Sequence, residues 1–96
     1  MTDQYASYRT RTSGLAWRET AGEIVVLDLH SSFYFGLNPT GARLWRSLVD
    51  GASRDQLLDQ LMAAGAGDPA RAADDVDEFL DVLHHEGLVE APTPRR

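Results

Sequence analysis

The sequence contains no cysteine, which excludes disulfides, thiolate metal sites and cysteine nucleophiles, and leaves the redox compartment unmarked. Long apolar runs are missing too. Nowhere do about 18 consecutive apolar residues occur, the length a membrane span needs, and the opening MTDQYASYRTRT has no apolar segment of the signal-peptide kind. A soluble, cytoplasmic protein is the expectation, with no membrane partner. Cations are scarce, with nine Lys and Arg against fifteen Asp and Glu for a formal charge of -6. Such a surface repels phosphate backbones unless its few cations cluster, so nucleic acid is not an expected partner. A chain of 96 residues has room for one modest core, against which every element must pack.

What is present is ordered along the chain. Residues 1–12 are polar and read as a flexible N-terminal arm, with Tyr5 and Tyr8 as docking points. Residues 90–96, carrying two prolines and ending in Arg95 and Arg96, read as a C-terminal tail, which leaves a domain over 13–89. Apolar stretches near Gly14–Glu19, Glu23–Leu29 and Phe33–Leu37, with short polar breaks between them, have the spacing of a three-stranded antiparallel meander. In the second strand Val25, Leu27 and Leu29 share one face, read as core. Ile24, Val26 and Asp28 share the other, only partly polar and so expected to be partly covered.

From Thr40 the period lengthens to that of a helix, with Leu44, Trp45 and Leu48 on one side and Gly51 as a stop. Ser53 and Gln56 have the spacing of a capping box ahead of Leu57, Leu58, Leu61 and Met62. Asp68 followed by Pro69 starts a third helix that runs to about Glu86, with Ala72, Val76, Phe79, Leu80 and Leu83 as its buried stripe. Three strands followed by three helices make a small α+β domain.

Little of the sequence suggests catalysis. His84 and His85 are adjacent, and neighbours on a helix point about 100° apart, so they cannot chelate one ion. No metal site or cofactor is expected. His30 has no identifiable partner, and no nucleophile elbow or oxyanion loop accompanies any Ser, His and Asp set. The acidic run Asp74, Asp75, Asp77, Glu78 and Asp81 fits a solvated helix face or a negative rim beside a groove for a basic peptide. Trp17 and Trp45 fit core or boundary positions. Phe33, Tyr34 and Phe35 lie in a strand with nothing after it in sequence to cover its outer edge, and no charge falls between Ser31 and Pro39. An uncharged open edge beside an apolar helix suits the capture of an added peptide strand; the same three aromatics would also serve as core, with Phe33 and Phe35 toward the helices and Tyr34 on the outer side.

The stretch VVLDLHSSFYFGLNPTGARLW, followed by DVDEFLDVLHHEGLV, resembles the PqqD-like family, the recognition domains of pathways that modify ribosomally made peptides. The resemblance spans about Gly14 to Val89. It rests most on Leu27-Asp28-Leu29, on Tyr34-Phe35 before Gly36-Leu37-Asn38, on Thr40-Gly41-Ala42, and on the Asp-x-x-x-Phe-Leu segment from Asp75 to Leu80. It implies a winged-helix-like fold of three antiparallel strands followed by three helices. It further implies that the leader segment of a precursor peptide binds as an extra strand between the third strand and the third helix, for delivery to a processing enzyme. Carried over to this chain, the groove would be lined by Phe33, Tyr34 and Phe35 and by Ala72, Asp75, Val76, Phe79 and Leu83. Phe33 departs from the family pattern, which favours a polar residue there. Free-standing members of this size accompany lasso-peptide biosynthesis with a separate leader peptidase, or radical enzymes that modify peptides.

The function expected from the sequence is therefore that of a non-catalytic adaptor for a leader peptide. The alternative is a winged-helix transcriptional regulator, which needs a basic recognition helix; the second helix offers Arg54 but also Asp55 and Asp59. A subunit that only stabilises an enzyme would need no groove.

Overall fold

The computed structural model describes residues 7–90. Tyr5 and the tail with Arg95 and Arg96 lie outside the described residues. The elements run β1 (Arg9–Thr10), β2 (Leu15–Thr20), β3 (Glu23–Asp28), β4 (Phe33–Leu37), α1 (Pro39–Asp50), α2 (Arg54–Ala63), α3 (Pro69–His85) and β5 (Val89–Glu90). Strands β2, β3 and β4 form an antiparallel sheet in that order, and β1 pairs with β5 in a second, two-stranded sheet. This is the expected α+β architecture, strands before helices, with the small sheet added.

Local signals place the helix ends. Asn38 caps α1 by accepting from the Gly41 N–H, and Pro39 follows at a position where a missing N–H costs nothing. Ser53 and Gln56 form the reciprocal capping box on α2. Asp68 accepts from the Ala70 N–H ahead of α3. The α3 stripe is buried at Ala72, Val76, Leu80 and Leu83, while Phe79 is half-buried.

The core face of β3 is the reverse of the expected one. Ile24 and Val26 are fully buried and Asp28 is 5% exposed, whereas Val25 and Leu29 are 48% and 55% exposed. Both faces of this strand are apolar enough to be buried, and the single carboxylate made the Asp28 face look like the outer one. What permits its burial is Arg11, whose Nη2 donates to Asp28 Oδ1 at 2.7 Å, while the His30 backbone N–H donates to the same oxygen at 2.9 Å. A buried carboxylate is tolerated once it is paired and hydrogen-bonded.

The partner comes from the segment read as a loose arm. Its described part is bound into the domain: Tyr8 exchanges backbone hydrogen bonds with Ala52, Arg9 and Thr10 pair with Glu90 and Val89, and the Arg11 N–H donates to Leu88. The Arg11 guanidinium also donates to the carbonyls of Ser13, Gly14 and Gly87. One side chain thus ties together the start of β2, the end of β3 and the end of α3. Glu90, placed by sequence in the tail, belongs to β5.

Candidate functional site

Cross-strand register sorts the sheet's side chains into two faces. Trp17, Val26 and Phe35 stand in line on the helix side, as do Glu19, Ile24 and Leu37 and, at the other end, Leu15, Asp28 and Phe33. Ala16, Leu27 and Tyr34 stand in line on the outer side, where Val25 is opposite Gly36. The three adjacent aromatics of β4 therefore separate. Phe35 is half-buried against the core, Tyr34 is 72% exposed on the outer face, and Phe33, at the strand's start, is 64% exposed although it shares the helix side. Trp17 meets Trp45 edge to face, ring centroids 6.4 Å apart, with Trp45 fully buried and Trp17 at the boundary.

Strand β4 is hydrogen-bonded to β3 alone, so among the described residues its second edge has no strand partner. Alternate residues of an antiparallel strand direct their N–H and C=O groups away from the paired side. β4 packs chiefly on β3 and α1, whereas α3 packs chiefly on α2 and β5. Between the end of β4, the first turn of α1 and the face of α3 lies a hollow of about 400 Å³. Its walls are Asn38, Thr40, Gly41 and Leu44 on one side and Asp75, Glu78, Phe79 and Val82 on the other. Gly41 is buried where α1 closes on its neighbours: a Cβ there would sit 3.3 Å from the Phe79 ring and 3.4 Å from the Leu37 Cβ. Small size at this position lets α1 approach Phe79 and Leu37 closely.

The hollow is apolar below and acidic above. Leu44 and Phe79 supply carbon, Val82 adds an exposed branched side chain, and Asp75 and Glu78 form the rim with no cation among the lining residues. The neighbouring acid Asp77 is occupied elsewhere: Arg54 donates to it from two nitrogens, one at 2.9 Å, and the pairing holds the Asp77 carboxyl below its ordinary range. At the other end of the sheet, on the same side, Arg11, helped by the His30 N–H, holds Asp28 down to about 2.

Of the residues expected to line a groove, Asp75 and Phe79 lie on this hollow, and Phe35 stands on the same side of the sheet. Ala72, Val76 and Leu83 are at most 2% exposed and back the hollow from within the core. Tyr34 lines a different hollow, on the outer face. Glu78 belongs to the acidic run that the sequence offered as a rim, while Leu44 and Val82 escaped the sequence reading as groove residues. Val82 alone left a signal: an apolar residue three positions beyond Phe79 and seven beyond Asp75, outside the core stripe and among acids.

Among the described residues no three His, Asp or Glu side chains converge as metal ligands, and no helix is long and apolar enough to cross a membrane.

Residues 23–89 match the family of coenzyme PQQ synthesis protein D (PqqD). This chain belongs to the PqqD family. The PqqD match begins at β3 and takes in β4, all three helices and Val89. This PqqD-family chain is similar in structure to TbiB1 in complex with the TbiA(beta) leader peptide, with a TM-score of 0.80 and 26% identity over 90% of this chain and 99% of that one. It is also similar to lasso peptide synthetase B1 complexed with the leader peptide, with a TM-score of 0.77 and 26% identity over 88% and 99% of the two chains. No curated protein matches it.

Proposed function

We propose that this chain binds the leader segment of a ribosomally made precursor peptide as a strand added antiparallel to β4, and presents it to a separate leader peptidase or modifying enzyme of lasso-peptide biosynthesis. The chain itself is an adaptor, without catalytic residues, and works in the cytoplasm. The observation that carries this is the β4 edge: an uncharged strand, Phe33–Leu37, paired on one side only among the described residues and running into an apolar hollow with an acidic rim. Such an edge is a hazard unless something occupies it. Strand addition supplies main-chain hydrogen bonds, and the adjoining hollow supplies selectivity. Both structural neighbours carry leader peptides, which supports the same class of ligand here.

Asp75 and Glu78 favour a leader carrying Lys or Arg near the point where it passes the end of β4. Phe35, Phe79 and Val82 provide the apolar contact, and Val76, Ala72 and Leu83 hold α3 at the right distance from beneath. A DNA-binding role has less support, because Arg54 of α2 is engaged by Asp77 and stands beside Asp55.

The test is fluorescence polarisation with a labelled synthetic leader, taken from the precursor encoded beside this chain's gene, and with duplex DNA. Saturable binding of the leader without DNA binding is expected. Tight DNA binding with a steep salt slope and none to the leader would overturn the adaptor role. Mass spectrometry of the precursor incubated with this protein alone should show no cleavage or mass change, while adding the peptidase should produce cleavage that depends on both proteins.

A further inference from the structure

Two hollows lie on opposite sides of the sheet, the inner one beginning at Asn38, just past the end of β4, and the outer one spanning β2 and β3 and reaching β4 at Tyr34. The acidic-rimmed one lies on the helix side. The second, about 510 Å³, lies on the outer face and is lined by Ala16, Trp17, Arg18, Val25, Leu27 and Tyr34. Helix α1 packs on the other side of this sheet, so this face exposes carbon: Val25 is 48% exposed and Tyr34 72%. Arg18 is the one charged residue of its lining in a chain of net charge -6. A hollow without carboxylates has nothing to draw a cation.

Gly36 extends this face to the strand edge. It stands opposite Val25, its φ is not positive, and a Cβ placed on it would meet nothing within 4 Å. Neither backbone strain nor crowding in the unliganded protein calls for glycine here. A strand glycine of this kind marks a place where another chain approaches closely, and large side chains across from a glycine recover lost contact by folding over it.

A strand added to β4 must send alternate side chains to opposite faces. Those aimed at α3 enter the inner hollow. The intervening ones emerge on the outer face, within cross-strand contact of Tyr34 and over Gly36. We infer that the β4 border of the outer hollow, formed by Tyr34 and by Val25 across Gly36, is a second specificity subsite for the same peptide: the leader's outward-facing residues are apolar and pack over Gly36 against Tyr34 and Val25, so that the leader is gripped on both faces of its strand. This rests on the strand-addition function proposed above. The outer face is continuous with that edge, and its lack of acid contrasts with the inner rim, so the two subsites select different chemistry at alternate positions of one segment.

Double-mutant cycles on leader affinity test it. Tyr34→Ala and Val25→Ala probe the outer side, Val82→Ala the inner side, each against single alanine substitutions along the labelled synthetic leader. All three protein positions are exposed, and melting curves establish that the variants are folded. The expected result is two interleaved sets of sensitive leader positions with a period of two. One set couples to Tyr34 and Val25, each truncation weakening binding about tenfold, and the other couples to Val82. A leader that binds and couples to Val82 while Tyr34→Ala and Val25→Ala leave its affinity unchanged would overturn the outer subsite and spare strand addition. The same two variants sparing affinity but abolishing peptidase stimulation would assign the face to the partner enzyme instead, and dissolving a dimer in sedimentation would assign it to a second copy; either overturns the subsite. A leader that binds nowhere removes both proposals together.

Discussion

Arg11 and Asp28 meet at 2.7 Å across the start of the sheet, a cation from the N-terminal segment neutralising the one carboxylate on the core face of β3. Removing the cation leaves that carboxylate buried with the His30 N–H and the Ser31 side chain as its remaining partners. Arg11→Met, which keeps much of the stem and loses the charge, is expected to lower the melting temperature by several degrees, and Asp28→Asn by less. Thermal denaturation followed by circular dichroism measures both; an unchanged Arg11→Met variant would show that the pair adds nothing to stability.

The same pair sets an acid limb. The Asp28 carboxyl is lowered in the folded protein from 3.8 to about 2. Its contribution is therefore fully present above the unfolded value and is lost as pH falls from about 4 toward 2. The stability difference between the wild type and Arg11→Met should be flat above about pH 5 and shrink below pH 4, measured by urea denaturation across that range.

Val76 and Val82 lie six residues apart on α3 with opposite surroundings, the first fully buried and the second 52% exposed. Val76→Ala should cost about 1–3 kcal/mol of folding stability as a core truncation, whatever happens to binding. Val82→Ala should alter stability by no more than about 0.5 kcal/mol yet weaken leader binding by about 1–3 kcal/mol if it is an anchor. Paired denaturation and polarisation measurements separate the two roles.

Asp75 tests the charge of the rim. Asp75→Asn changes charge with almost no change of volume at an exposed position. It should weaken a basic leader, more at low ionic strength than at high, and leave the melting temperature nearly unaltered. Equal affinities at low salt would remove Asp75 from the site.

Gly14 has φ 72°, and a Cβ there would come within 2.3 Å of the ring of His30. Gly14→Ala should therefore be destabilised by about 1–2 kcal/mol from backbone strain alone, with a further loss from the clash. Adding His30→Ala should restore the clash portion and not the strain. A double variant no more stable than Gly14→Ala would mean that the ring simply moves aside.

Much of the fold could be read locally. Asn38, Ser53 and Asp68 satisfy N–H groups within three residues of themselves, so their caps are written in adjacent letters. The strand β4 and the alternation that sends Phe35 and Tyr34 to opposite faces follow from a period of two, and Asp75 and Phe79 share one side of α3 because they are four residues apart. Tertiary structure decided the rest. Which face of β3 is buried turned on Arg11, 17 residues away, and Arg11 in turn is held by the Gly87 carbonyl, 76 residues distant. Val76 became core and Val82 wall because of where α2 and α1 pack, and the aromatic run of β4 was divided because α1 covers one face of the sheet, sending Phe35 toward the core and Tyr34 to the outer hollow. Caps and periodicities are short-range and leave their mark in neighbouring residues; burial of a charge, and the difference between a floor and a wall, depend on partners that only the folded chain brings together.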